Sequence, residues 1–201
     1  EFGNGTHTVF TQIAAEALGL DPTAVRLRTS DTDATAYDTG AFGSTGITVT
    51  GKAVHAAALA LRARLDAGEP VPAEGLTAEG STDGKMRSLA FNVQAFRVAV
   101  DVETGAVRIL QSIQAADAGV VLNPAQCRGQ IEGGVAQGIG SALYEEVLIG
   151  EHGAPTNPAF RVYRVPQSAD VPDTEVYFAQ SSDTLGPYGA KSMSESPYNP
   201  V

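Results

Sequence analysis

Residues 121–146 read VLNPAQCRGQIEGGVAQGIGSALYEE, and the rest of the chain is best read outward from them. Asn123 followed by Pro124 is a helix start. The Asn side chain can cap the first turn, and Pro is pre-set for the first helical position, where no backbone N–H is needed. The spacing of apolar residues predicts one helix running to about Glu146. That helix contains Gly129, Gly133, Gly134, Gly138 and Gly140. Each Gly in a helix costs about 1 kcal/mol relative to Ala, so five cost on the order of 5 kcal/mol, a large part of a domain's net stability. Close packing against another helix, or a cofactor lying against the glycines, would offset that. The stretch 129–140 is therefore expected to be helical and buried. Gln130 and Gln137 lie seven residues apart, on nearly one face. Gln offers both a donor and an acceptor, which suits the edge of a heterocycle; two solvated glutamines is the plainer reading.

Toward the N-terminus, residues 6–18 show helical spacing, with Thr6 as cap and Gly19 as stop. Residues 24–29 alternate and predict a strand. A polar loop over 31–46 leads to a second helix over 47–67, with Val54, Leu61 and Leu65 on one stripe and Gly68 after it. Residues 68–85 are rich in Gly, Pro, Ser, Thr and Glu, and read as a linker or insertion between a lobe at 1–67 and a lobe at 86–201. Residues 89–100 and 106–116 predict a hairpin turning through Asp101–Gly105. Strands are expected at 147–150 and 174–180, around a Pro-rich loop. Helices and strands alternate irregularly, which predicts an α+β class.

The chain has 201 residues, 43% hydrophobic and 18% charged, enough for one domain core or two small lobes. Its 13 Lys and Arg against 23 Asp and Glu give a net charge of -10, which opposes nucleic acid and anionic membranes. No apolar run is long enough to span a bilayer. Cys127 stands alone, so neither an internal disulfide nor a thiolate cluster within the chain is available; this suits a reducing, cytoplasmic setting. The chain starts at Glu1 with a motif almost at once, which reads as a fragment. His7, His55 and His152 are scattered without metal-motif spacing, and Asp31, Asp33 and Asp38 lack calcium-loop spacing, so neither set reads as a metal site.

Two further glycine-rich segments precede helices: Gly3-Asn4-Gly5-Thr6-His7-Thr8, and Asp38-Thr39-Gly40-Ala41-Phe42-Gly43-Ser44-Thr45-Gly46. A helix N-terminus offers unpaired N–H groups and partial positive charge, and Gly admits close approach, so such loops suit anionic ligands. Simple turn chemistry accounts for either one alone. The last segment, Gly186-Pro187-Tyr188-Gly189-Ala190-Lys191-Ser192-Met193-Ser194-Glu195-Ser196-Pro197, sets one Glu among small residues before a Pro. By composition it is a surface turn.

Taken in order, these segments resemble the C-terminal molybdenum-cofactor-binding half of the large subunit in the xanthine dehydrogenase and aldehyde oxidase family. GNGTHT is similar to the family's GQGTHT, YDTGAFGSTG with GKAV to its second cofactor loop, and residues 121–146 to its main signature. YRVPQSADVP is similar to the strand and turn that follow, and GPYGAKSMSESP to GxxGAKGVGEPP, which carries the catalytic glutamate. The resemblance implies an α+β molybdenum-cofactor-binding domain of two lobes, with mixed sheets and packed helices, of which residues 1–201 are part. It implies a molybdopterin-type cofactor, with a dinucleotide form left open. The implied activity is hydroxylation of an aldehyde or N-heterocycle, with water as oxygen donor. Iron–sulfur clusters and FAD on other domains or subunits would take the electrons, and the N-terminal half of the large subunit would be the nearest partner. By position, Glu195 would be the general base, Gln137 would contact the cofactor near the metal, and Phe42, Gly43 and Ser44 would line the pterin. Gly3, Asn4, Gly5 and Thr6 would form the first cofactor loop. The metal would be held by the pterin, without protein ligands.

Departures from the pattern sit at Asn4, one methylene shorter than Gln, at Ser192 and Ser194 in place of glycines, and at Tyr198 in place of Pro. A Ser at a left-handed position would be strained. Two other readings remain: an isolated non-catalytic fragment or scaffold lobe, and a dinucleotide-binding oxidoreductase domain. The second lacks a strand leading straight into G-x-G-x-x-G.

Overall fold

The computed structural model describes residues 3–38, 40–193 and 195–201. The elements are α1 (Thr6–Leu18), α2 (Lys52–Asp66), β1 (Asn92–Val100), β2 (Val107–Ala116), α3 (Pro124–Leu143) and β3 (Thr174–Phe178), an α+β set. They fall into two compact units of interleaved segments. The first comprises Glu1–Ala90, Asp117–Cys127 and Gln180–Ser192; the second comprises Phe91–Ala116, Arg128–Ala179 and Met193–Val201. All three strands lie in the second unit.

In the first unit, α1 ends where expected: Gly19 is left-handed (φ 68) and its N–H bonds the Ala15 and Glu16 carbonyls. Its start differs from expectation. Gly5 (φ 84) is the cap and Thr6 is already helical, because Asn4 Oδ1 accepts from the Thr6 N–H at 3.3 Å and from its hydroxyl at 2.9 Å. Phe10 and Ile13 are buried and converge on Gly51, where a Cβ would stand 3.4 Å from a side-chain carbon of each. Gly51 closes a π turn, Ile47–Gly51, that feeds α2. The stripe expected on α2 is not core: only Ala58 is buried, and Leu65 is exposed. Residues 25–29 form no ladder with any described strand, so their alternation has nothing to pair with, and Pro22–Ala24 is a 3-10 turn. Residues 68–85 contain no helix or strand, yet Gly80 lies on the α2 backbone at Ala53 and Ala57, too close for any side chain.

In the second unit, β1 and β2 pair antiparallel from Asn92↔Ala116 to Val100↔Val107, with one bulge between Arg97 and Val98. The turn works as its sequence suggests. Asp101 Oδ1 accepts from the Glu103 and Thr104 N–H groups at 2.9 and 3.0 Å, and Gly105 takes φ 73. β3 joins β2 in parallel, with the Ser112 and Thr174 hydroxyls 2.8 Å apart and buried. No strand forms at 147–150 beyond a single bridge from Ile149 to Pro155; the Asn157 amide binds Leu148 N–H and Glu146 C=O there instead. α3 stops at Leu143, short of Glu146, as the N–H groups of Tyr144 and Glu145 both turn to the Gly140 carbonyl.

The α3 glycines are not equivalent. Ile131, Val135 and Ile139 form its buried stripe, and Gly134, Gly138 and Gly140 are buried with them. Gly129 and Gly133 are exposed and face open space, so the expected burial of the whole row fails at these two. A Cβ on Gly138 would lie 2.7 Å from Val201 Cβ and 3.1 Å from the Tyr198 carbonyl oxygen. Opposite effects follow. Gly133→Ala should raise stability by up to about 1 kcal/mol, through helix propensity alone. Gly138→Ala should lower it by about 1–3 kcal/mol through overpacking. Thermal melts of the two variants in parallel check this, and equal shifts would count against it.

Candidate cofactor site

Three segments meet in the first unit. The first is the loop Gly3–Thr6, in which Gly3 and Gly5 both take φ 84, a conformation that favours Gly. Gly5 is also a close approach: a Cβ there would stand 2.8 Å from Gln126 Oε1. Gln126 sits three residues after the Asn123 cap, whose Oδ1 accepts the Gln126 N–H at 3.1 Å, so the start of α3 is held as the sequence predicted. Asn123 Nδ2 donates to Gln12 Oε1 at 3.3 Å, which ties the start of α3 to the middle of α1. Gln126 Oε1 is buried and has no hydrogen-bond partner among the described residues. Sequence reasoning singled out Gln130 and Gln137 and missed Gln126, although Asn-x-x-Gln at a helix start is a capping-box pattern that could have drawn attention to it.

The second segment is the loop before the π turn. Gly40 is left-handed (φ 82), with its N–H on Asp38 Oδ1 at 2.6 Å. Gly43 (φ 60) and Ser44 (φ 59) are left-handed in succession; the Ser44 N–H bonds the Ala41 carbonyl at 3.1 Å, and the Thr45 hydroxyl bonds the Phe42 carbonyl at 2.7 Å. Phe42 is 78% exposed, and a side chain on Gly43 would meet nothing within 4 Å. A Cβ on Gly46 would lie 3.6 Å from Ala41 Cβ and 3.7 Å from Thr6 Cγ2, so this loop stands beside the first. Thr39 lies outside the described residues.

The third segment is 186–192. Ala118 C=O accepts the Lys191 N–H at 2.9 Å, and Gly189 C=O accepts the Val120 and Asp183 N–H groups at 3.0 Å each. Lys191 Nζ donates to Asp117 Oδ2 at 2.8 Å, with both side chains nearly buried. The Ser181 hydroxyl and the Gly119 N–H also donate to Asp117. Burial pushes the Asp117 carboxyl up; the bonds from Lys191, Ser181 and Gly119 outweigh it and hold the group below the ordinary carboxylate range. The Ser192 hydroxyl donates to the Ser44 carbonyl. Ser192 is not left-handed, so replacing a Gly there brings no such strain.

Gln137 and Glu195 belong to the second unit, and both are exposed. Glu195 opens a run of tight turns: the Ser196 N–H bonds the Met193 carbonyl at 2.8 Å and the Tyr198 N–H bonds the Glu195 carbonyl at 3.2 Å. Tyr198 thus uses an N–H that Pro lacks. Pro197 is fully buried, and the turn seats on α3 at Gly138. Ser194 lies outside the described residues. Burial pushes the Cys127 thiol up to about 11, so it is neutral at pH 7. Among the described residues no three His, Cys, Asp or Glu side chains cluster as a metal site, and no helix is long and apolar enough to cross a membrane.

Comparison with known proteins places this geometry. The chain is 32% identical to the putative xanthine dehydrogenase molybdenum-binding subunit of Escherichia coli, over 100% of this chain and 32% of that protein. It is 30% identical to the aldehyde oxidoreductase molybdenum-binding subunit of the same organism, over 97% of this chain and 31% of that one. It thus spans about a third of the length of these relatives. Among solved structures, quinoline 2-oxidoreductase from Pseudomonas putida superposes with a TM-score of 0.86 at 28% identity, covering 98% of this chain and 31% of that one. CO dehydrogenase from Oligotropha carboxidovorans, at 22% identity, shares the fold with a TM-score of 0.91, covering 98% of this chain and 30% of that one. The molybdopterin cofactor-binding domain family matches residues 1–70 and 67–172, and this chain belongs to that family.

Proposed function

We propose that residues 1–201 are part of one molybdopterin-binding domain in a cytoplasmic molybdenum hydroxylase, which oxidises an aldehyde or an N-heterocycle with water as oxygen donor. The observation that carries the reading is Gln126 Oε1, a buried acceptor with no partner among the described residues, beside left-handed Gly5. A pterin presents N–H groups along its edge, and an unsatisfied acceptor at a glycine cradle fits such an edge. Gly3, Asn4, Gly5 and Thr6 would hold the cofactor on that side. Asn4 keeps its Oδ1 on Thr6, which leaves its Nδ2 as the donor for this role. Phe42, Gly43 and Ser44 would line the pterin, where the exposed Phe42 ring gains cover and Gly43 leaves room.

When bound, the molybdenum supplies the two-electron redox change that hydroxylation needs. Glu195 would act as the general base and Gln137 would contact the cofactor near the metal. The remaining large-subunit half, an iron–sulfur component and an FAD component are the proposed partners. Since the chain spans only about a third of its relatives, it is expected to retain little molybdenum when expressed alone and to be a full part of the site only in the assembled enzyme. Metal and pterin analysis of both preparations tests this. Stoichiometric cofactor in the isolated chain would refute the need for partners, and none in the assembled enzyme would refute the reading itself.

A further inference from the structure

Ser192 stands where the resembling pattern has Gly, and its hydroxyl reaches a carbonyl 148 residues away, at Ser44. That carbonyl belongs to the second of two successive left-handed residues, Gly43 and Ser44. A non-Gly residue in this conformation is disfavoured and persists only where its surroundings hold it. The local bonds here are the Ser44 N–H to Ala41 and the Thr45 hydroxyl to Phe42. Among the described residues, the side-chain bond that reaches the turn from a distant part of the chain comes from Ser192.

Ser192 is itself fixed. Its neighbour Lys191 is held by its N–H on the Ala118 carbonyl and by its ammonium on Asp117, two nearly buried groups that lock each other. Gly119 completes the anchor: it is left-handed (φ 63), and a Cβ there would be 2.9 Å from the Lys191 N, so the two chain segments touch backbone to backbone.

We propose that Ser192 is a positioning residue that latches the Gly43–Ser44 turn, with the Asp117–Lys191 pair as its anchor. This rests on the reading that residues 42–44 line the cofactor. The latch joins that loop to the 186–192 segment, which the Asp117 and Gly119 contacts hold in place.

The test compares Ser192→Ala, Ser192→Gly and Ser192→Thr in the assembled enzyme, by amide hydrogen exchange over residues 42–46, by molybdenum and pterin content, and by kcat and KM. Loss of one hydrogen bond should speed exchange at these amides by about threefold to tenfold in the Ala and Gly variants, and Thr should restore it. kcat should fall by a comparable factor with KM little changed, as expected when a catalytic geometry loosens. Exchange at 42–46 equal to wild type in both Ala and Gly variants overturns the latch, whatever the cofactor content. If instead exchange rises in both while the wild-type enzyme itself carries no molybdenum, the latch stands and the cofactor reading falls.

Discussion

Glu195→Gln in the assembled enzyme is expected to remove most turnover while leaving molybdenum and pterin content near wild type. A positioned base contributes roughly a hundredfold to ten-thousandfold in rate, equivalent to about 3–5 kcal/mol of barrier. Gln preserves shape and length but cannot accept a proton at neutral pH. Glu195 is exposed, so its carboxylate is available, while its neighbours Met193 and Pro197 are buried and the N–H groups of Ser196 and Tyr198 bond the Met193 and Glu195 carbonyls. The seat on α3 at Gly138 makes a linked expectation, since a methyl there would press on Tyr198 and Val201 and shift the carboxylate. Gly138→Ala should therefore lower kcat as well as stability, whereas Glu195→Gln should lower kcat alone. Turnover of aldehyde and N-heterocycle substrates beside metal analysis checks this. A Glu195→Gln enzyme within about threefold of wild type would be far from the loss a base implies, and would return Glu195 to an ordinary surface carboxylate.

Where a local signal was complete, the sequence was legible. Gly19 stops α1, Asn123 with Pro124 starts α3, and Asp101 with Gly105 turns the hairpin, because cap, turn and stop chemistry act within a few residues. Residues 24–29 and 147–150 misled because alternation says only that a segment could pair, and among the described residues no partner strand lies beside either. The glycine row of α3 gave a correct helix and an uneven burial: propensity cost is the same at Gly133 and Gly138, but only tertiary structure decides which faces Val201 and which faces open space. The candidate site was read through the resemblance more than through the residues. Asp117 with Lys191, and Ser44 with Ser192, are contacts across 74 and 148 positions, which no window along the chain can reveal. Gln126 was readable in principle as a capping-box residue, but its orphaned oxygen is a property of packing. The same holds for Asn92 and Gln114, whose buried amides carry unpartnered atoms in strands that read simply as a hairpin.

Lys191→Met should be among the most destabilising single changes in the chain. Its ammonium and the Asp117 carboxylate are 2.8 Å apart, with side-chain exposures of 12% and 9%. Removing only the cation leaves a carboxylate in a poorly solvated site, and breaking a buried pair in this way costs about 3–5 kcal/mol. For a chain of this size that corresponds to roughly 6–20 °C in melting temperature. The double variant Asp117→Asn with Lys191→Met removes both charges, so it should be the more stable of the two, although the single change alters fewer residues. The pH dependence gives a second signature. In wild type the Asp117 carboxyl sits below its ordinary range, so the pair's stabilisation is present above the unfolded carboxylate value of ~3.9 and is lost only as pH falls through the lower folded value. In Lys191→Met, burial acts without its counter-charge and raises the carboxyl, so the penalty relaxes as acid protonates Asp117. The gap between wild type and variant should then be widest near neutrality and narrow on acidification toward about pH 4. Thermal melts across that range decide it. A Lys191→Met subunit as stable as wild type at pH 7, or a gap that grows in acid, would mean that Asp117 and Lys191 are held apart by solvent and do not anchor the 186–192 segment.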